Sequence, residues 1–230
     1  MSGIIVNSAE CITLLGGGSV SMAVLETVRS KAPTVVAADG GARHAVEAGF
    51  LPDAVIGDFD SLGDHMQATL PAHSLHRIGE QDSTDFEKCL SRIRAPLVVG
   101  LGFMGPRLDH QLAAFHALMR CADQRCVLVG ETQVAFLCPP ELHLALPVGA
   151  LVSVFPLCAV SARSKGVEWP LDGLDLAPGR VIGTSNRAAA DQVSIYCDRP
   201  GLLVILPGQQ RAAALAALLT APVPWPAPGR

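Results

Sequence analysis

The sequence predicts an α/β fold: a parallel-sheet domain with covering helices, followed by a smaller all-β sandwich domain. Three observations carry that prediction. Short apolar runs alternate with helical patterns as far as residue 138, the signature of a parallel sheet with helical crossovers. Pro139-Pro140 then interrupts the alternation. From Glu141 to Pro207, β-like runs and turn residues recur with no long helical period between them. The expected domains are therefore residues 1–138 and 139–230.

Each element follows in order. CITLL (11–15) leads through Gly16–Gly18 to the helical VSMAVLETVRS. TVVAAD (34–39) leads to GGARHAVEAG, and DAVIGD (53–58) to a segment over 63–70. SLHRIG (74–79) leads to DSTDFEKCLSRIR, where Phe86, Leu90 and Ile93 fall on one helical face. Thr84 and Glu87 form a T-x-x-E capping box for that helix. PLVVG (96–100) leads to PRLDHQLAAFHALMR, whose Leu108, Leu112, Phe115 and Met119 form a second apolar face. RCVLV and QVAFLC are the last strands of this half. In the second half LHLAL, ALVSVF, RVIGTS, QVSIYC and LLVIL read as strands, QQRAAALAALL (209–219) as a terminal helix, and the proline-rich APVPWPAPGR as an extended or disordered tail.

Composition excludes several classes of function. Half of the 230 residues are hydrophobic and 17% are charged, so the chain can build a core. A net charge of −4 offers no basic surface for nucleic acid, and 4% aromatics offer no stacking platform for single strands. No apolar run approaches the ~20 residues that span a bilayer. MSGIIVNSAE has no basic segment and so does not read as a secretory signal. Seven scattered cysteines without a CxxC spacing are expected to be free thiols, mostly buried, in a cytoplasmic protein.

The chemistry gathers at strand ends. In PDAVIGDFDS (52–61), Asp58 and Asp60 lie two apart, on one side if the backbone stays extended. They follow an apolar strand, where open α/β sheets bind ligands. Two such carboxylates suit a hard cation such as Mg²⁺ together with substrate phosphates. In QDSTDFEK (81–88), Asp85 and Lys88 share one helical face near a helix start, where phosphate is favoured. The competing reading is a capped helix with a surface ion pair. Asp39-Gly40-Gly41 ends a third strand, and Arg107–His110 (RLDH) follows a fourth. Four strand-end loops thus bring polar groups toward one edge. GLGFMG (100–105), with Glu131 after the next strand, also mimics a dinucleotide fingerprint, but it does not open the fold and it leaves the acids unexplained. No G-x-x-x-x-G-K-[ST] is present. In the β half, Trp169 in GVEWPLDG reads as core if taken alone, and GTSN (183–186) as a turn. His73 and His76 have no partner cluster.

ADGGARHAVEAG, LPDAVIGDFDSL, QDSTDFEKCL and GLGFMGPRLDH, followed by GVEWPL and GTSN, resemble in order and spacing the thiamine pyrophosphokinase (thiamin diphosphokinase) family over residues 34–186. The resemblance implies an α/β nucleotide-binding domain before a β-sandwich. It implies a homodimer that transfers the pyrophosphate of ATP to the hydroxyl of thiamine with Mg²⁺, giving thiamine diphosphate and AMP. By motif position, it implies that Asp58, Asp60 and Asp85 hold Mg²⁺ and that Lys88 contacts the phosphates. Asp39, Gly40, Ser61, Thr84, Arg107, Asp109 and His110 are then expected at ATP, Gln81 near thiamine, and Trp169, Ser185 and Asn186 in the thiamine pocket, against the partner subunit. Met104-Gly105-Pro106 departs from the paired glycines of many relatives, and CITLLGGG departs from their first loop, which leaves Gly16–Gly18 without an assigned role. Competing readings are an NAD(P)-dependent oxidoreductase using GLGFMG, a non-catalytic thiamine or nucleotide sensor, and an enzyme acting on another small alcohol.

Overall fold

The strand–helix alternation of the first half becomes one parallel sheet. In a computed structural model that describes residues 3–227, the chain divides into two units, Met1–Glu131 and Thr132–Arg230. In the first unit, β1 (Val6–Asn7) is short and pairs only with β6 (Ile93–Arg94). The main strands are β2 (Ile12–Leu15), β3 (Thr34–Ala38), β4 (Ala54–Gly57), β5 (Leu75–Arg77), β7 (Val98–Leu101) and β8 (Cys126–Val129). They lie in the order β8-β7-β2-β3-β4-β5, and every pairing is parallel. All residues of β2, β4, β7 and β8 are buried, as strands covered on both faces must be. The covering helices are α1 (Met22–Arg29), α2 (Ala42–Glu47), α3 (Asp64–Thr69), α4 (Asp85–Leu90) and α5 (Leu108–Arg120).

Two helical readings need correction. Phe86 and Leu90 are buried on α4, but the helix stops there and Ile93 is buried from β6 instead. On α5 the expected apolar face is only partly turned inward: Leu108 is 67% and Leu112 56% exposed, Phe115 and Met119 are half-buried, and Ala114, Ala117 and Leu118 are the buried residues. The inner face is thus offset around the helix from the one the periodicity picks, and Leu118 carries it together with two alanines.

The second unit carries β9 (Gln133–Leu137), β10 (Glu141–Ala145), β11 (Ser153–Pro156), β12 (Ala162–Lys165), β13 (Gln192–Cys197), β14 (Leu202–Pro207) and α6 (Arg211–Thr220). Two antiparallel sheets form, β11-β14-β9 and β10-β13-β12, and α6 lies against β9, β10 and β14. The sequence pattern groups QVAFLC with the first half. As β9 it pairs antiparallel with β14 and belongs to the second. RVIGTS forms only isolated bridges at Val181 and Gly183. β12 has no apolar run to announce it: its buried positions are Ala162 and Ser164, alternating with exposed Arg163 and Lys165.

The described part of the tail is anchored rather than loose. Trp225 is 9% exposed, and its indole N–H donates to the Cys138 carbonyl at 2.8 Å. All seven cysteines are free thiols, five of them buried. No helix among the described residues is long and apolar enough to cross a membrane.

The two tryptophans separate anchoring from exposure. Trp225→Ala opens a buried site and orphans a carbonyl, at a cost of about 3 kcal/mol. Trp169, 54% exposed, costs less than about 1 kcal/mol when truncated. Urea denaturation of the two variants checks the difference.

Candidate active site

The sheet reverses its winding direction between β2 and β7. From β2 the chain moves through β3 and β4 to β5, then returns to place β7 and β8 on the other side. At such a switch point the loops after the two central strands part and leave a crevice at the carboxyl edge. Here those loops also lock together. Gly16 N–H donates to the Leu101 carbonyl at 2.7 Å and Gly18 N–H to the Gly102 carbonyl at 2.9 Å. A Cβ at Gly18 would stand 2.6 Å from that Gly102 oxygen, and Gly102 itself has φ +79°. The Phe103 ring fills the space a Cβ at Gly16 would take, 2.6 Å away, and packs on Phe86 with centroids 4.3 Å apart. Gly16 and Gly18 therefore have a role that the sequence left open: they permit this close approach, while a Cβ at Gly17 would meet nothing.

A cleft of about 700 Å³ lies at this edge, within the first unit. Of the residues singled out in the sequence, Asp39, Gly40, Asp58, Asp60, Ser61, Gln81, Thr84, Asp85, Lys88, Arg107 and His110 line it. Four separate strand-end loops do converge.

Three carboxylates converge most tightly. Asp39, Asp58 and Asp60 each offer an oxygen, all within 4.8 Å of one another. Asp58 and Asp60 do not reach this arrangement along an extended backbone, because β4 ends at Gly57 and Phe59 turns to φ +69°. The turn is fastened by Asp60 N–H donating to Asp58 Oδ1 at 3.2 Å and by Ser61 Oγ–H donating to Asp60 Oδ1 at 2.8 Å. Asp39 is 2% exposed, at φ +45°, with Oδ2 accepting from Ser61 N–H at 3.4 Å and Oδ1 buried without a hydrogen-bond partner. Burial, aided by neighbouring Asp85 and Asp60, pushes its carboxyl up to about 6, although the Ser61 N–H pulls the other way.

Lys88 faces the opposite situation. Its side chain is 2% exposed, and its Nζ donates to Asp58 Oδ2 at 3.0 Å and to Asp85 Oδ1 at 3.1 Å. This is not the surface ion pair of the competing reading. Burial pulls the ammonium down, and the hydrogen bonds to Asp58 and Asp85 more than restore it, so it is held above its ordinary value. The Lys88 ammonium in turn holds the Asp58 carboxyl down to about 2, with help from Asp60 N–H and from Gln81 Nε2 at 3.1 Å. Burial raises Asp85, against the pull of Lys88. The helix that presents Lys88 starts as expected, with Thr84 Oγ1 accepting from Glu87 N–H at 3.3 Å. The capping box is not reciprocal, since Glu87 Oε1 accepts from Arg120 Nε at 3.1 Å.

Arg107 closes on Asp109 through two hydrogen bonds of 3.2 and 2.6 Å, both side chains exposed. That pairing lowers the Asp109 carboxyl, and Asp109 is not among the residues lining the cleft. In the second unit, Trp169, Ser185 and Asn186 form a separate group. Trp169 is 54% exposed, so its indole is not core. Asn186 is 5% exposed and grips the Trp169 backbone from both sides: Oδ1 accepts from Trp169 N–H at 3.1 Å, and Nδ2 donates to the Trp169 carbonyl at 2.7 Å. Oδ1 also accepts from Arg187 N–H at 2.8 Å. Ser185 is exposed at φ +64°, its N–H on Ser153 Oγ at 2.9 Å.

Family models described as "Thiamin pyrophosphokinase, catalytic domain" and "Thiamin pyrophosphokinase, vitamin B1 binding domain" match residues 25–129 and 140–202, together more than half of the chain. The chain belongs to the thiamine pyrophosphokinase family. Thiamine pyrophosphokinase 1 of Oryza sativa subsp. japonica is 29% identical over 197 residues, covering 71% of this chain and 75% of that one. Crystallographic thiamin pyrophosphokinase from Geobacillus thermodenitrificans superposes with a TM-score of 0.70 at 24% identity, covering 86% of this chain and 96% of that one. Thiamin pyrophosphokinase from Candida albicans gives 0.73 at 14% identity, covering 86% and 90%. These two likenesses speak to the fold. By family the chain is an enzyme, a thiamine diphosphokinase. The glycines of GLGFMG serve the interlocked turn of this fold, with Gly100 and Gly102 packed against Phe103 and Gly16, and no dinucleotide is needed to explain them.

Sequence reasoning missed several residues that line the cleft: Gly17, Gly18, Ser19, Arg43 and Phe103. Arg43 stood inside the quoted ADGGARHAVEAG, and its position one turn after the Asp39 strand end was the available signal.

Asp39 yields a pH prediction. An unfolded Asp titrates near 3.8 and this one near 6. Below the lower value both states are protonated and nothing is lost; above the upper one only the folded state carries a poorly solvated charge. Its destabilisation is thus complete above about 6 and fades as pH falls. Asp39→Asn raises the Tm of metal-free protein at about pH 8, and the gain disappears by about pH 4. Thermal melts across that range check it.

Proposed function

We propose that this chain transfers the pyrophosphoryl group of ATP to the hydroxyl of thiamine, giving thiamine diphosphate and AMP, with Mg²⁺ required. The observation that carries the reading is the convergence of Asp39, Asp58 and Asp60 beside Lys88 in a cleft at the sheet's switch point. Together with the family membership, it makes the first unit the ATP-binding, catalytic unit. The second unit, with Trp169, is the thiamine-binding one.

The donor set suits Mg²⁺. All three groups are carboxylates, and Asp39 Oδ1 is buried without a partner, a costly arrangement unless a cation meets it. Asp39, Asp58 and Asp60 would hold the ion, while Asp85 keeps Oδ1 on Lys88. This shifts the ligand set implied by the family resemblance by one residue. Bound there, Mg²⁺ supplies positive charge to phosphate oxygens.

In the transfer, the thiamine hydroxyl oxygen forms a bond to the β-phosphorus. The bond from that phosphorus to the α,β-bridging oxygen breaks, and AMP leaves with the electron pair. The hydroxyl proton passes to a carboxylate of the cleft. Such reactions need positioning and charge neutralisation more than covalent help. Lys88 acts here by fixing Asp58 and Asp85. Gln81 steadies Asp58, and Thr84 caps the helix that presents Asp85 and Lys88. Gly40, Ser61, Arg107 and His110 meet the nucleotide, and Asp109 acts through Arg107. Thiamine is a flat cation, and an exposed indole face suits it, at about 0.5–2 kcal/mol. Asn186 positions that indole through the Trp169 backbone, and Ser185 shapes the adjoining turn. A homodimer that covers the exposed Trp169 completes the reading, in a cytoplasmic setting in keeping with the free thiols.

Purified protein given ATP, Mg²⁺ and thiamine forms AMP and thiamine diphosphate, and forms neither when metal or thiamine is withheld. ADP as the product would mean attack at the γ-phosphorus and would overturn the reaction proposed. Asp58→Asn abolishes this turnover without unfolding the chain. Trp169→Ala raises the KM for thiamine about tenfold, in line with the loss of a cation–π contact, and leaves the KM for ATP unchanged. Steady-state kinetics of the two variants check both.

A further inference from the structure

The reading of the cleft as a nucleoside-triphosphate site leaves a question of charge, and the inference drawn here rests on that reading. Four carboxylates line the cleft, from Asp39, Asp58, Asp60 and Asp85, against three Lys or Arg side chains, Arg43, Lys88 and Arg107. A polyphosphate brings several more negative charges. Two of the three cations are already committed. The Lys88 ammonium is buried between Asp58 and Asp85. The Arg107 guanidinium is closed on Asp109 through both Nε and Nη2.

Arg43 differs. It stands in the first turn of α2, which follows the Asp39–Gly41 turn, and its side chain is exposed. Its Nη2 donates to the carbonyl of Gly17, on the loop after β2 that also lines the cleft. Among the described residues it is the cleft's one arginine or lysine with no carboxylate partner. A carbonyl occupies one N–H of a five-donor fork and neutralises none of its charge. The tether holds the head group at the glycine loop, which lowers the entropy lost when a ligand arrives. We infer that Arg43 binds the polyphosphate of the nucleotide directly and is the principal side-chain counter-charge for it in this cleft.

A bland reading competes with this one, in which Arg43 only fastens the Gly17 loop. The two differ in electrostatics. A residue that meets phosphate contributes to the salt dependence of binding; a tether to a neutral carbonyl does not. The experiment is calorimetric titration of Mg²⁺–ATP into the full chain at several salt concentrations, for the parent, Arg43→Gln and Arg43→Lys. Circular dichroism and melting confirm that each variant is folded. The expected result is that Arg43→Gln binds ATP about 10- to 100-fold more weakly, with a shallower salt dependence. Arg43→Lys restores the slope and most of the affinity. Weaker binding with an unchanged slope makes Arg43 a tether only and overturns the inference, as does unchanged affinity. If Arg43→Gln does not fold, the slope of Arg43→Lys against that of Arg43→Met decides in the same way. A parent protein that fails to bind Mg²⁺–ATP overturns the cleft reading and this inference with it. A parent that binds ATP while Arg43→Gln binds it equally overturns this inference alone.

Discussion

The buried ammonium of Lys88 is the interaction around which the rest of the site is arranged. A lysine head group out of contact with water is unfavourable unless paired, and removing one partner of such a buried pair costs about 3–5 kcal/mol. Lys88 has two partners on two elements, Asp58 in the turn after β4 and Asp85 at the start of α4. The pairing therefore fastens the turn to the helix and fixes where both carboxylates stand. It also divides the acids of the cleft by environment. Asp58, against the ammonium, stays ionised down to about 2, while Asp39, buried without a cation, is pushed up to about 6. Similar residues a few ångströms apart acquire different chemistry because the fold gives only one of them a counter-charge.

Holding the acids together also strains the backbone. Asp39 and Phe59 both sit at positive φ, where a side chain is disfavoured. Neighbouring glycines make room for them. A Cβ on Gly57 would stand 2.9 Å from Asp39 Cβ, and one on Gly41 would stand 2.2 Å from the Leu15 carbonyl oxygen. The strained residues and the crowding glycines lie at the same two strand ends, those of β3 and β4. A stable protein with no demand at this edge would relax them; their coincidence with the carboxylate cluster ties the strain to function.

The parallel sheet was legible because its strands are buried on both faces and so read as unbroken apolar runs. The acidic loops were legible for a related reason: polar residues directly after such runs must lie at the carboxyl edge. Other features depend on properties a pattern does not carry. The inner face of α5 is formed by Ala114, Ala117 and Leu118, which an apolar periodicity dominated by Leu108 and Leu112 conceals. β12 buries Ala162 and Ser164, neither of which marks a strand. Trp225 lies among prolines that argue for an extended or disordered tail, yet its indole finds a buried carbonyl. Lys88 and Asp58 are thirty residues apart, so the sequence could suggest Lys88 for the site without indicating that its charge would be consumed there.

That consumption shapes how an anionic substrate can enter. The chain carries a net charge of −4, its cleft holds more acid than base, and two of the three basic side chains there are locked onto carboxylates. A bare polyphosphate would approach carboxylates rather than cations, and repulsion in a partly desolvated cleft is stronger than in water. On the function proposed above, binding would become favourable when the substrate brings its own cation into the Asp39–Asp58–Asp60 cluster, relieving the repulsion among the acids and between acids and phosphate at once. A cleft built this way discriminates by charge state before it discriminates by shape. On that reading it would be poorly suited to uncomplexed anions of similar size and well suited to a metal–polyphosphate complex, since the acids that repel the one would recruit the other.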